Sequence, residues 1–222
     1  FSILLGIMIE FLFLRPAKHP SILGMIVITL GAEMFLMGLA SWKWGSEQKF
    51  FSLPLIPSTT YEPVIGMIVT NWAIAVFAVT ACIMLLLYLF FKYTKLGVAM
   101  RATQQNKHAA KIMGIRTERV FSIAWGFSSL IGAVAGMFFA SRATLDPAFM
   151  MDPFLRAFAG AMLRGLMSIP GVIIGGGLMG LIENFFGYYW PHWKPIIAFV
   201  VIILVLCVRP SGLFAKHYVK KV

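Results

Sequence analysis

The sequence predicts an all-α protein built as a polytopic transmembrane helical bundle, a single domain over residues 1–222. Three observations predict it. Hydrophobic residues make up 60% of the chain and charged ones 12%, with a mean hydropathy of +0.87, whereas soluble domains carry roughly 45–50% apolar and about 25% charged residues. Apolar runs long enough to cross a bilayer recur along the whole length. The ten-residue alternating segments of a transmembrane barrel are missing.

The elements follow in order. The chain begins at Phe1 inside the run FSILLGIMIEFLFL, which has the character of the end of a span and carries no charged leader or cleavage site. An N-terminal truncation that removes the first spans is the expectation. This segment ends at Leu14, closed by Arg15-Pro16 with Lys18 and His19 just beyond, and Glu10 near its end is placed to pair locally with Arg15 or Lys18. Residues 21–41 form the second span, twenty-one residues long, or about 30 Å at 1.5 Å per residue. Trp42 and Trp44 mark an interfacial belt after it. Residues 43–63, with Pro54, Pro57 and Pro63, read as a loop, and 64–91 as a third apolar run, long enough to span with tilt or to begin outside the bilayer.

A polar island then separates two apolar runs. Residues 92–119 hold seven of the nineteen Lys and Arg residues, with Glu118 as the only acid. After Gly97 come seventeen proline-free residues rich in helix formers, closed by Gly114, which predicts one short helix. Such a helix suits the membrane face or a partner's groove. Residues 120–140 make the fourth span. Asp146-Pro147 and Asp152-Pro153 are expected to stop helices in the loop 141–153. Residues 154–167 fit a short span or a re-entrant limb, 168–171 a turn, 171–189 a glycine-rich span ending in Tyr188-Tyr189-Trp190, and 193–208 the last span before a basic tail.

Charge fixes the expected orientation. With the island inside, alternation places fourteen cations on that side, Arg164 included, and five on the other: Lys43, Lys49, Arg142, Arg156 and Lys194. The positive-inside bias favours this assignment, with seven membrane segments and a cytoplasmic C-terminus. The same bias explains the net charge of +11 without nucleic acid, because the cations do not cluster around exposed aromatics.

Three polar residues fall inside predicted spans: Glu33, Asn71 and Glu183. Intramembrane ionisable groups are costly and face protein or water. Glu33, near mid-span, reads equally as part of a solute path or as a helix contact. Glu183 favours the contact, and Asn71 a cap or a bond to a neighbouring helix. Gly171/Gly175, Gly176/Gly180 and Gly132/Gly136 are spaced for close helix packing in lipid. Cys82 and Cys207 lie in apolar runs and read as small core residues. No nucleotide-binding GxxxxGK[ST] loop, HExxH or CxxC pattern occurs, and the four histidines are far apart. The residues give no catalytic, cofactor or metal site, and ATP hydrolysis is not expected from this chain.

The string TKLGVAMRATQQNKHAAKIMGI resembles the cytoplasmic coupling segment of branched-chain amino acid ABC transporter permeases, with Leu96, Gly97, Arg101, Ala102, Gly114 and Ile115 on the recurring positions. Arg209-Pro210-Ser211-Gly212-Leu213-Phe214, Ser168-Ile169-Pro170-Gly171, and the glycine-rich span ending in Glu183 resemble further motifs of that family. Arg15-Pro16-Ala17-Lys18, Thr29-Leu30-Gly31 and Trp44-Gly45 look like its LivH type. The resemblance implies a non-catalytic subunit of an importer for branched-chain or related small amino acids or amides, in a bacterial or archaeal plasma membrane. It implies a sister permease, two cytoplasmic ATPase subunits and an extracytoplasmic solute-binding protein as partners. Residues 93–118 would be the coupling segment. Where the family has Gly-Gly and a further glycine before the turn, this chain has Arg164-Gly165 and Met167, which weakens the expectation of tight packing there. A passive channel or secondary carrier, with the island only a topogenic loop, is the alternative.

Overall fold

The computed structural model describes residues 1–17, 22–50, 60–64, 67–164 and 169–208. The chain divides into two compact units, Phe1–Pro147 and Ala148–Val222. Among the described residues both are helical, apart from one two-stranded hairpin in the first.

In the first unit α1 (Ser2–Ile9) runs on without a break into a π-helical turn, Glu10–Leu14. The turn is closed by the Arg15 amide donating to the Glu10 carbonyl at 2.9 Å. Helix α2 (Ile22–Trp44) ends in Gly45 at φ 81°, the left-handed conformation that glycine adopts freely. The apolar run that starts at residue 64 does not begin as helix. Strands β1 (Thr60–Val64) and β2 (Met67–Thr70) pair antiparallel, Thr60 opposite Thr70, and α3 (Asn71–Tyr93) starts only after them. β-branched residues concentrate at 64–70, where strand pairing suits them better than a helix does. Helices α4 (Lys95–Gln105) and α5 (Lys107–Ile112) follow, and α6 (Thr117–Ala140) closes the unit.

Helices α1 and α6 meet along a seam of small residues. A Cβ on Gly6 would stand 2.6 Å from Ser129 Cβ and 2.7 Å from the Trp125 carbonyl, and Gly126 lies under Ile3 and Ile7. Two hydroxyls finish the seam: Ser129 donates to the Ser2 carbonyl at 2.8 Å and Ser122 to the Glu10 carboxylate at 2.7 Å. Where water is absent, such close backbone contact and hydrogen bonding hold helices together. Gly132, by contrast, meets nothing within 4 Å of a Cβ among the described residues. At the far end of α6, Trp72 Nε1 donates to Ser141 Oγ at 2.9 Å and Arg142 stacks on the Trp72 ring at 4.8 Å.

In the second unit α7 (Met151–Arg164), α8 (Ile169–Tyr189), a 3₁₀ turn (Pro191–Trp193) and α9 (Lys194–Val208) enclose a small core of Ala159, Leu163, Met179 and Val205. Asp152-Pro153, expected to stop a helix, instead opens one, because the first turn needs no amide donor from proline. Helices α7 and α8 touch backbone to backbone. A Cβ on Gly175 would run into the Gly160 carbonyl, and one on Gly160 would lie 2.8 Å from Gly176 Cα. The hairpin therefore packs tightly despite Arg164 near its turn; Gly165, Met167 and Ser168 lie outside the described residues. Among the described residues, Gly176, Gly177 and Gly180 carry no neighbour that a Cβ would meet. Cys82 and Cys207 are exposed on their helices rather than in a core.

Among the described residues, four helices are long and apolar enough to cross a membrane: Leu23–Trp44, Asn71–Tyr93, Thr117–Ala140 and Gly171–Tyr189. The apolar stretch Ser2–Leu14 is shorter. Helix α7, at fourteen residues, covers about 21 Å and falls short of a hydrocarbon core of about 30 Å.

Candidate functional site

The residues that the family pattern singles out gather at the α3–α4 and α5–α6 junctions of the first unit. Thr94 ends α3 in an extended conformation, φ −93° and ψ 148°. Its hydroxyl donates to the Phe90 carbonyl at 2.6 Å and accepts from the Gly97 amide at 3.0 Å, so one side chain caps both helices. Gly97 is buried at the inside of this elbow, where a Cβ would collide with the Phe90 carbonyl and lie 2.6 Å from Phe91 Cα. Leu96 beside it is 44% exposed.

The single helix expected after Gly97 is two. Asn106 breaks it with φ −154° and ψ 102°, and its side-chain carbonyl accepts from the amides of His108 and Ala109, both at 3.0 Å. Asn offers a stronger cap at the start of α5 than one more helical turn would, and that competition decides the break. Helix α5 then closes in a Schellman motif. The Ile115 amide donates to the Ala110 carbonyl and the Gly114 amide to that of Lys111, both at 3.0 Å, with Gly114 at φ 80°.

The faces of these helices divide cleanly. Thr103 and Ala110 are buried toward the unit. Arg101 is exposed, Ala102 and Ile115 are half-buried, and Gly114 is exposed. Ile112 and Met113 are 80% and 81% exposed at the tip of α5. Lys107 sits over the Phe121 ring at 4.9 Å. The outward surface is thus apolar at its tip and basic around it.

The three in-span polar residues separate. Glu33 is exposed on α2 and, among the described residues, has no hydrogen-bond or ion partner. Asn71 is the first residue of α3, at the very start of that candidate span. Glu183 is buried, 7% exposed, and ion-pairs with Arg156, whose other terminal nitrogen pairs with Asp152 one turn back. Glu10, expected to pair locally with Arg15 or Lys18, is also 7% exposed. It pairs neither with Arg15 nor, among the described residues, with any other cation. Ser122 holds it, and Arg15 bonds Glu118 at 3.3 Å. A serine 112 positions away leaves no signature in local sequence. Lys18 and the closing motif from Arg209 lie outside the described residues. No group of three or more potential metal-ligating residues occurs among the described residues.

Long apolar helices, small-residue seams and a basic helical elbow between two spans define a multi-pass membrane protein. The family described as branched-chain amino acid transport system / permease component matches residues 1–206, and the chain belongs to it. The high-affinity branched-chain amino acid transport system permease protein LivH of Escherichia coli (strain K12) is 29% identical over 98% of this chain and 72% of its own length. LivH of Salmonella typhimurium is 30% identical over the same shares, and BraD of Pseudomonas aeruginosa 27%. A probable LivH of Methanocaldococcus jannaschii is 26% identical over 96% of this chain and 71% of its own length. No solved structure matches the chain.

Proposed function

We propose that this permease imports branched-chain or related small amino acids or amides as one subunit of an ATP-driven transporter, with α4 and α5 as the element that docks on an ATPase. The observation that carries the reading is the pair of stiff elbows at Thr94–Gly97 and Met113–Ile115. They join a short helix pair, bearing the exposed Ile112 and Met113, directly to α3 and α6. Force on that tip has two rigid routes into the membrane. Leu96, Gly97, Arg101, Ala102, Gly114 and Ile115 would transmit it. ATP is hydrolysed by two separate cytoplasmic chains, a sister permease completes the path, and an extracytoplasmic binding protein delivers the solute. The domain is one permease over 1–222 with residues 93–118 as its coupling segment, set in a bacterial or archaeal plasma membrane with the C-terminus inside.

For the solute path, the exposed carboxylate of Glu33, without a partner among the described residues, is the strongest candidate, because a charge at that depth needs water or a protein partner. Asn71 would stand at one mouth of the path. Glu183 is held by Arg156 and serves mainly to fix α7 on α8. Replacing Arg101 and Gly114 together by bulky acidic residues should abolish ATP-driven uptake while membrane insertion stays normal. Unchanged coupling of ATP hydrolysis to uptake would sink the reading. Copurification of an ATPase with the wild-type chain separates it from a passive channel or secondary carrier.

A further inference from the structure

At one end of the α1–α6 seam lies an open pocket of about 630 Å³, contained in the first unit. Arg15, Lys111, Arg116 and Arg119 line it against a single acid, Glu118. The pocket also holds the N-terminus of α6, a helix of twenty-four residues whose first turn has no side-chain cap, since Arg116 stands at the capping position. The free amides and helix dipole at such an end attract an anion. Thr117 supplies a second, separate sign. It forms part of the wall, is 1% exposed, and its hydroxyl has no hydrogen-bond partner among the described residues. A buried hydroxyl without a partner is costly in a native structure and marks a missing ligand or water. Glu118 does not fill the role, because its carboxylate turns to Arg15 in a pair that is 48% and 68% exposed.

The depth of the pocket points to the source of the anion. Leu14 ends one apolar run beside it and Val120 begins another, so the cations stand at the boundary between hydrocarbon and water. That is the level of phosphate headgroups, and anionic lipids concentrate Lys and Arg there. We infer that this pocket binds a phosphate group, carried by the headgroup of an anionic phospholipid. Arg116, Arg119 and Lys111 would hold its charge while the α6 amides donate to its oxygens and a rotation of the Thr117 side chain brings its buried hydroxyl within reach. The inference takes from the proposed function only which leaflet supplies the lipid.

The test is native mass spectrometry of the full chain extracted from bilayers containing phosphatidylglycerol or phosphatidylcholine alone. Wild type should retain phosphatidylglycerol selectively. Arg116→Gln with Arg119→Gln should weaken retention on the order of tenfold or more, and Arg142→Gln, which removes a cation at the opposite end of α6, should leave it unchanged. Equal loss in the Arg142→Gln variant would overturn the site in favour of diffuse charge attraction. Thermal protection of the chain by inorganic phosphate, without lipid selectivity, would keep the anion site and overturn the lipid as its source. Unchanged lipid retention in the double variant, with loss of a copurifying ATPase, would assign these cations to a protein partner and overturn the proposal. Lipid retention needs no ATPase, so the proposed transport function can fail while this site stands.

Discussion

The two glycines that bracket the basic segment are required for opposite reasons. Gly97 has no unusual backbone angle, but a Cβ there would collide with the Phe90 carbonyl and crowd Phe91. Gly114 has nothing within 4 Å of a Cβ, yet its φ of 80° lies where other residues are strained. One elbow is therefore a contact and the other a conformation. A contact resists any side chain at all, whereas a conformation tolerates the few residues that enter the left-handed region cheaply. The α3–α4 elbow should thus be the stiffer of the two, and the less forgiving of change.

The largest expected effect breaks the contact. Gly97→Ala forces the α3–α4 elbow open against main-chain atoms, which cannot swing aside as a side-chain tip does. The loss should reach or exceed the about 1–3 kcal/mol typical of overpacking. It is read as a lower unfolding midpoint of the purified chain and faster proteolysis after Lys95, Arg101 and Lys107. Gly175→Ala repeats the experiment in the second unit, where the obstacle is again a backbone carbonyl, that of Gly160. It should cost a similar amount. A mild effect at either position would show that the helices part easily and that the contact is not what demands glycine.

Next comes the conformation. Gly114→Ala should cost about 1–2 kcal/mol, the strain of a left-handed alanine, while Gly114→Asn recovers part of it because asparagine also serves at this helix-end position. The ranking of glycine over asparagine over alanine, measured as unfolding midpoints, distinguishes this elbow from the first. At Gly97 asparagine must be worse than alanine. Smaller again is Asn106→Ala, which removes two hydrogen bonds to the start of α5 and should cost about 1 kcal/mol. It also removes the reason for the break, so helicity by circular dichroism should hold or rise as α4 and α5 merge.

That merged helix is what the sequence alone suggests, which shows where its legibility stops. The long apolar runs and the cations at their ends gave the spans around α2, α6 and α8, because hydropathy is summed over many residues and survives local detail. Gly114 was readable as a stop because a C-terminal glycine is a local signal. Asn106 was not: asparagine among good helix formers has a weak preference until the cap geometry exists. The hairpin at 60–70 was hidden for a related reason, its apolar residues reading as the start of α3. Pairings between distant residues left no trace. Glu10 with Ser122 and Arg156 with Glu183 follow from which helices pack, and the spacing of charges along the chain does not encode that. Gly160, the partner of Gly175, lay outside every small-residue repeat for the same reason.

The smallest prediction reverses sign. Gly177 sits in α8 only two residues after Gly175, exposed, with nothing within 4 Å of a Cβ and no left-handed φ. Neither demand that fixes Gly97 or Gly114 applies to it. Alanine there gains helix propensity and loses no room, so Gly177→Ala should stabilise the isolated chain by up to about 0.5–1 kcal/mol. A fall in its unfolding midpoint would mean that α8 is packed differently from the arrangement around Gly160 and Gly175. The informative case is a split result, with the purified chain more stable and uptake lower. Lipid tails accommodate one extra methyl, whereas a helix backbone seated on small residues does not. Lower uptake with higher stability would therefore place another subunit of the transporter on that face, and would explain three glycines, 176, 177 and 180, that no contact among the described residues requires.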